Sequence, residues 1–217
     1  MVRPVNHPNA PRTRRATRAA QTRQRILDAA SALFADPGFA ATTIEAIATR
    51  ADVAVETVYS RFRSKANLLV ALLEPAIVGN EDGLDLLDRP EIVEVRAATD
   101  QQQQLGLLAH FSRTILERTA HAQRILHSAA ASDPAAAELQ RNDRSRRYRT
   151  QAAYIDMLLT NGPLRPGVTS TKAADTYAAL ANPSSYRLLI DERGWTPQQY
   201  EDWLADSLSR LLLPTPS

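Results

Sequence analysis

The sequence predicts an all-α protein, with a three-helix domain at its N-terminus and a larger helical domain behind it. Apolar residues recur at the spacing of a helical stripe, first at Ile26, Leu27, Ala30, Leu33 and Phe34. Capping residues and Pro–Gly stops then divide the chain into segments of helix length. Alternation of polar and apolar residues, which would predict strands, is absent from the sequence.

The composition is that of a globular protein and excludes several kinds of chemistry. Apolar residues make up 44% of the 217 residues, which is enough for a sizeable core. The lack of cysteine rules out disulfides, thiolate zinc sites and cysteine nucleophiles. Neither an export signal nor a run of ~18 apolar residues for a membrane span is present in the sequence. We therefore expect a soluble, cytoplasmic protein.

The charge is unevenly distributed along the chain. Residues 1–65 contain 11 Lys or Arg and 5 Asp or Glu, whereas the whole chain has a net charge of only +2. A basic N-terminal segment on a mildly acidic body indicates a polyanionic partner for that segment. The alternative is a basic, disordered tail without a partner.

The N-terminal third begins with a predicted disordered arm at residues 1–18, which contains three prolines and no acids. A helix starts near Thr22 and ends at the sequence Asp36-Pro37-Gly38. Thr42 and Glu45 have the spacing of a capping box, which predicts the start of the next helix at Thr42. We assign residues 19–65 to this domain and residues 66–217 to the C-terminal domain.

Residues 43–62 have the pattern of a helix-turn-helix. Ala48 is small where the two helices would touch, and Asp52 stands where the tight turn needs a left-handed backbone. Val53 and Val58 would close the core between the helices, which leaves the opposite face of residues 54–61 free. An ordinary helical hairpin in an all-α protein is the alternative.

These residues resemble the N-terminal domain of the tetracycline-repressor (TetR) family of transcription regulators. The resemblance covers residues 22–73 almost without a gap, and Asp52 replaces the glycine usual in its turn. Ala54 likewise stands where serine or threonine often caps the second helix of the motif. The matching segments are Arg23–Ala30, Leu33-Phe34, Gly38-Phe39, Thr42-Thr43, Ile47-Ala48, Ala51–Val53, Thr57–Tyr59, Phe62, Ser64-Lys65 and Leu68.

The resemblance implies a homodimer that represses transcription from a palindromic operator in double-stranded DNA until a small-molecule inducer releases it. Thr42, Thr43 and Lys65 would hold phosphates, and Ala54, Val55, Glu56 and Thr57 would lie at the base edges. Tyr59, Ser60 and Arg61 would touch a phosphate, a sugar or a thymine methyl. Arg14, Arg15 and Arg18 of the arm would enter the minor groove.

The C-terminal domain is predicted to be helical from about residue 99, after an acidic linker at 79–91. The expected helices cover 99–118, 120–131 and 133–161, with the glutamine run 101–104 on a solvated face. Further helices cover 170–192, with a break at Asn182-Pro183, and 196–213, which begins with a cap at Thr196.

The resemblance implies two tasks for this domain. The helices at 170–192 and 196–213 would form a four-helix bundle with those of a second copy, although their apolar residues could instead be buried within one monomer. A pocket for an unidentified inducer would lie among the three preceding helices. The candidate lining residues, each of which could also be ordinary core or surface, are Phe111, Ser112, Ile115, His127, Tyr154, Met157 and Tyr177.

Other ligands and activities receive less support from the sequence. The arginine run at 141–149 is typical of a solvated face, with an anionic ligand such as an acyl-CoA as the alternative. Four scattered histidines predict no metal site, and we expect no cofactor. A catalytic loop or nucleophile motif is absent from the sequence, so we expect no enzyme. An architectural DNA-binding protein without a ligand and an all-helical enzyme remain the rival interpretations.

Overall fold

The computed structural model describes residues 10–78 and 86–215, and this part of the chain is helical, without strands. It forms two compact units, Met1–Leu72 and Leu73–Ser217, and the division falls within one helix. The helices are α1 (Ala10–Leu33), α2 (Ile44–Arg50), α3 (Val55–Phe62), α4 (Lys65–Val78), α5 (Pro90–Ala97), α6 (Gln101–Ala130), α7 (Pro134–Leu159), α8 (Ser170–Leu180), α9 (Pro183–Arg187) and α10 (Pro197–Leu212).

The first helix is longer than the sequence predicts. Residues 10–18, which we expected to be part of a disordered arm, form the beginning of α1, while residues 1–9 lie outside the described part. The helix ends as predicted near Asp36-Pro37-Gly38, where Asp36 is extended and Gly38 has a φ of 107°.

Packing in the N-terminal unit follows the predicted apolar stripes. Helix α2 packs against both α1 and α3. The rings of Phe34 and Phe39 lie 4.8 Å apart, on either side of the bend that follows α1. Full burial of such side chains stabilises the fold by roughly 1.5–3 kcal/mol each. The buried apolar residues of α1 to α3 include Ile26, Leu27, Ala30, Phe34, Ile44, Ile47, Ala48, Val58 and Phe62.

Two helix boundaries in the C-terminal unit differ from the prediction. Helix α5 begins at the end of the expected linker 79–91 and precedes the region predicted to be helical from about residue 99, and its Ile92 and Val95 are fully buried. Helix α6 runs unbroken from Gln101 to Ala130, where we expected two helices that meet near residue 119. Thr119 is buried and donates its hydroxyl to the carbonyl of Ile115, so the helix continues through this polar residue.

The glutamine run is only in part the solvated face that we expected, because Gln102 and Gln103 are exposed but Gln101 and Gln104 are not. Gln104 is fully buried, and its amide donates to the carbonyls of Val95 and Met157, each at 3.2 Å. Gln101 donates to the carbonyls of Leu158 and Gly162. These side chains satisfy backbone groups at the ends of neighbouring helices, which would otherwise be buried without a partner.

The remaining helices begin at side-chain caps, of which those at Asp133 and Thr196 were predicted. Asp133 accepts a hydrogen bond from Ala136 N at the start of α7. Asn182 caps α9 after the predicted break, and Thr196 forms a capping box with Gln199 at the start of α10. The side chain of each capping residue satisfies an amide that lacks a partner within its helix.

Tyrosines join the helices of the C-terminal core. The ring of Tyr177 on α8 lies 5.7 Å from that of Tyr154 on α7, and its hydroxyl lies 2.8 Å from Ser112 Oγ and 3.2 Å from Leu108 O on α6. Tyr186 and Tyr200 pack edge to face at 4.9 Å. Among the described residues, no helix is long and apolar enough to cross a membrane.

Candidate nucleic-acid interface

The turn between α2 and α3 is a Schellman motif. Asp52 adopts a left-handed conformation with a φ of 51°, as the sequence predicts. Its amide donates to Thr49 O at 3.2 Å, and the amide of Val53 donates to Ala48 O at 3.0 Å. These two bonds satisfy carbonyls at the end of α2 and redirect the chain into α3.

Helix α3 has one buried face and one free face. Val58 and Phe62 are buried against the rest of the unit, as predicted. Glu56, Tyr59 and Ser60 are exposed on the other side, and Tyr59 keeps 48% of its surface accessible. A tyrosine ring this open on a free helix face is available to contact a partner.

The beginning of α3 lacks a side-chain cap. Ala54 occupies the cap position and offers no oxygen to the first-turn amides. The following residues Val55 and Thr57 are half-buried, so each presents part of its side chain outward. Of the α3 residues that we expected to contact DNA, Glu56, Tyr59, Ser60 and Arg61 are thus exposed, and Val55 and Thr57 are partly exposed.

The two neighbouring threonines before α2 have different roles. Thr43, and not the Thr42 predicted from the capping box, caps α2 by accepting a hydrogen bond from Ala46 N. Thr42 is buried, and its hydroxyl donates to the carbonyls of Leu33 and Gly38, both at 2.8 Å. Thr42 thus ties α2 to the end of α1, and its side chain does not reach the outer surface that Thr43 occupies.

Lys65 lies at the start of α4 and points back toward α2. Its Nζ donates to Phe39 O and Thr42 O, each at 2.8 Å, and lies 4.7 Å from the centre of the Phe39 ring. Nζ also makes a longer contact of 3.5 Å with Ala40 O, so all three ammonium donors have an acceptor within the protein, a set of contacts that the sequence did not predict. From the sequence alone, a lysine that donates to backbone carbonyls cannot be distinguished from one that binds a phosphate.

Other cations on this unit remain available. Arg61 and Arg63 are exposed, and neither has a recorded partner among the described residues. Arg63, which the sequence did not single out, has a φ of 63° where the chain leaves α3. Arg25 and Asp52 form an exposed ion pair at 3.6 Å, which contributes little to stability.

The predicted pocket residues of the C-terminal unit divide into three groups. Phe111, Ser112, Ile115 and Tyr154 line one small cavity. His127 is exposed and lines a larger, separate pocket. Tyr177 is fully buried in the core, where Met157 also packs. The described residues contain no cluster of His, Asp or Glu side chains that could hold a metal ion.

Helices α2 and α3 are joined by a tight turn with a left-handed residue, and α3 has one buried face and one free face. This arrangement defines a helix-turn-helix domain. This class of domain places its second helix in the major groove of DNA. The family model described as "Bacterial regulatory proteins, tetR family" matches residues 26–72. The domain is therefore that of the TetR family, and the resemblance seen in the sequence is confirmed.

The similarity to a curated relative is concentrated in the same segment. Over 53 residues the chain is 51% identical to the "HTH-type transcriptional repressor KstR" of Rhodococcus jostii (strain RHA1). This match covers 24% of the chain and 25% of KstR. The chain thus spans about a quarter of the length of the curated relatives that it matches.

Solved structures resemble the chain over most of its length. A transcriptional regulator from Saccharomonospora viridis in complex with choline has a TM-score of 0.63 at 20% identity, over 89% of this chain and 98% of the other. The SmeT–triclosan complex has a TM-score of 0.66 at 22% identity, over 88% and 91%. At these identities the likeness establishes the fold, and the predicted all-α class is confirmed.

Proposed function

We propose that this protein is a sequence-specific DNA-binding transcription repressor that acts as a homodimer on a palindromic operator and is released by a small-molecule inducer. The observation that carries the proposal is the free outer face of α3 behind a closed Schellman turn, within a segment that matches the TetR-family model. A face of this kind is what a recognition helix needs in the major groove.

Base recognition is assigned to the first turn of α3. Val55, Glu56 and Thr57 follow the uncapped Ala54, so side chains and backbone there can approach base edges closely. Glu56 is an acid beside a polyanion, and we assign it to accept a hydrogen bond from a cytosine amino group. Its negative charge would also weaken binding to non-specific sites, where that partner is missing.

Phosphate contacts are assigned to the residues around this turn. The hydroxyl of Thr43 accepts from Ala46 N, which leaves its hydrogen free to donate to a phosphate. Arg61, Tyr59 and Ser60 share the exposed side of α3. For Lys65 the proposal reduces to the donor whose present contact is the long one, 3.5 Å to Ala40 O, and for Thr42 it reduces to positioning, because its hydroxyl is bound within the protein.

Dimerisation is assigned to the segments 170–192 and 196–213. Leu204 and Leu208 of α10 are fully buried within one monomer, so they cannot also form the interface. Leu188 and Leu211 remain 42% and 46% exposed, and Trp195 and Trp203 are half-buried with their rings 6.0 Å apart. These side chains supply the apolar surface that a second copy would cover.

A search for bound sequences in a random DNA pool, at a stated salt concentration, tests the proposal. Enrichment of one palindrome is expected, because a two-fold symmetric dimer reads two half-sites. A pool that remains random, with folded and dimeric protein, would contradict sequence-specific binding and indicate an architectural protein. Arg141→Ala, which removes an exposed charge from α7, serves as the control variant and should enrich the same palindrome.

A further inference from the structure

Two neighbouring cavities lie in the C-terminal unit, and they share part of their walls. The larger has a volume of about 420 Å³, and the smaller has a volume of about 60 Å³. Arg147, Gln151 and Ala181 line both of them. The larger volume lies within the range of ~300–1,000 Å³ that is usual for small-molecule sites.

The larger cavity is lined by cations and by no acid. Four arginines from three helices face it: Arg124 on α6, Arg144 and Arg147 on α7, and Arg187 on α9. The other polar lining residues are neutral amides, hydroxyls and His127. Cations that converge from separate helices repel one another unless an anion lies between them.

The nearest carboxylate is already bound elsewhere. Asp143 is buried and accepts hydrogen bonds from Gln123 and Arg146, and its Oδ2 lies 3.4 Å from Arg147 Nη1. Asp143 therefore offsets part of the charge of Arg147. Arg144 and Arg187 have no recorded hydrogen bond or ion pair within the described ranges, 10–78 and 86–215.

Arg147 stands where the two cavities meet. Its Nη1 is buried and makes no hydrogen bond to any described residue, so the 3.4 Å ion pair with Asp143 Oδ2 is its polar contact. Burial lowers the pKa of this side chain, and Asp143 opposes that effect. A guanidinium nitrogen that is paired but not fully hydrogen-bonded thus lies at the boundary between the cationic cavity and the smaller one.

The smaller cavity is mainly apolar. Leu86, Phe111, Ile115, Leu116 and Tyr154 line it. Phe111 and Tyr154 are buried members of the core, whereas Ile115 is half-buried. Its lining offers the end of an alkyl chain an apolar surface beside the guanidinium of Arg147.

We propose that these cavities form one site for an amphipathic organic anion, a carboxylate or phosphate ester that lies in the larger cavity and whose alkyl chain ends in the smaller one. The arginines of the larger cavity would hold its head group through charge-assisted hydrogen bonds. This inference rests on the proposed function, because it names the chemical class of the inducer.

Binding of matched probes to the full chain, measured by calorimetry, tests the site. Decanoate and decyl phosphate carry an anionic head, whereas decyltrimethylammonium has the same chain with a cationic head. We expect both anions to bind at least about tenfold more tightly than the cation, because the free energy of one hydrogen bond to a charged group exceeds the difference that corresponds to a tenfold ratio of affinities. Hexanoate should bind more weakly than decanoate, because less apolar surface is buried. Equal affinity for anion and cation would overturn the proposal.

A double variant, Arg144→Gln with Arg187→Gln, locates the head group. Both arginines lack partners, so the fold should remain intact. We expect a loss of about tenfold or more in decanoate affinity. Arg141→Gln and Arg149→Gln remove two exposed charges from the same helix outside the cavity, and this control should change affinity less than about twofold. A similar loss in both double variants would refute the assigned site.

Selection of bound sequences from a random DNA pool distinguishes failure of the repressor assignment from failure of the anionic site. If a palindrome is enriched but the decyl anions do not bind, the repressor assignment remains and the anionic site fails. If the anions bind but no DNA sequence is enriched, the site remains and the repressor assignment fails. Bound decanoate that lowers operator affinity in the wild type, but not in the Arg144/Arg187 variant, would support both.

Discussion

The ammonium of Lys65 lies 2.8 Å from the carbonyl oxygen of Thr42, and at the same distance from that of Phe39. The same Thr42 binds the end of α1 through its hydroxyl. The start of α4 and the end of α1 are thus both fixed to the short segment that leads into α2. The position of the helix-turn-helix depends on these two side chains.

Replacement of Lys65 by methionine should destabilise the protein by roughly 1–3 kcal/mol, because two carbonyls lose a charged donor. Methionine keeps most of the apolar length of the side chain, so packing on Phe39 is largely preserved. Urea unfolding measures the change. Arg63→Met, which removes an exposed cation two residues earlier, is the control and should have little effect. A Lys65 variant as stable as the wild type would show that the carbonyl contacts contribute nothing.

Replacement of Asp52 should report the cost of its left-handed backbone. Asp52→Gly should raise the free energy of unfolding by up to ~1 kcal/mol, because glycine adopts a positive φ without a steric penalty. Asp52→Val should lower it by roughly 1–2 kcal/mol. Asp52→Asn isolates the exposed ion pair with Arg25 and should stay near the wild type. A valine variant with the same free energy of unfolding as the wild type would show that the left-handed backbone at this position carries no steric penalty.

The caps of α2 and α3 provide a pair of opposite changes. Thr43→Ala removes the oxygen that binds Ala46 N and should cost about 1 kcal/mol. Ala54→Ser adds the oxygen that α3 lacks and should stabilise the protein by a similar amount. Thermal unfolding of both variants checks the prediction. A serine variant no more stable than the wild type would indicate that the start of α3 is satisfied by other means.

Base-reading and phosphate-binding residues should respond differently to substitution. Thr57→Ala should change which sequences are selected from the pool, by about 1–3 kcal/mol of discrimination at one base pair. Arg61→Ala should weaken binding to all sequences. It should also reduce the slope of log affinity against log salt concentration by about one, because one phosphate contact is lost. Titrations of operator and random DNA at several salt concentrations separate the two. The base-reading assignment fails if Thr57→Ala lowers affinity equally for both DNAs.

The same titration decides the remaining role of Lys65. A Lys65→Met variant that weakens DNA binding without a change in salt slope would be a positioning residue alone. A slope lower by about one would add a phosphate contact through the donor that makes only the 3.5 Å contact with Ala40 O.

Apolar side chains left exposed on the C-terminal helices should hold the dimer together. Leu188→Glu with Leu211→Glu should convert the dimer to a monomer at micromolar concentrations, because two charges per copy would be buried without partners. Sedimentation velocity measures the change. Val93→Glu, at a side chain that is 53% exposed on α5, is the control and should remain dimeric. A double variant that still dimerises would place the interface elsewhere.

Much of the fold could be predicted because its signals are local. The left-handed Asp52, the caps Asp133 and Thr196, the break at Asn182-Pro183 and the apolar stripe of α1 each depend on residues within a few positions of one another. Helix α5 was missed because burial, and not propensity, holds Ile92 and Val95 in place. The break expected near residue 119 was wrong for the same reason, since Thr119 is buried within α6.

The sequence by itself determined the helical class and the helix-turn-helix, because periodicity, caps and the turn residue each depend on residues that are close together in the sequence. The tertiary structure alone decided that Lys65 and Thr42 brace the backbone, and that Gln104 is buried under helix ends. It also brought Arg124, Arg144, Arg147 and Arg187 to one cavity. These arrangements join residues far apart in the chain, and the packing of helices, which no local pattern encodes, sets the distances between them.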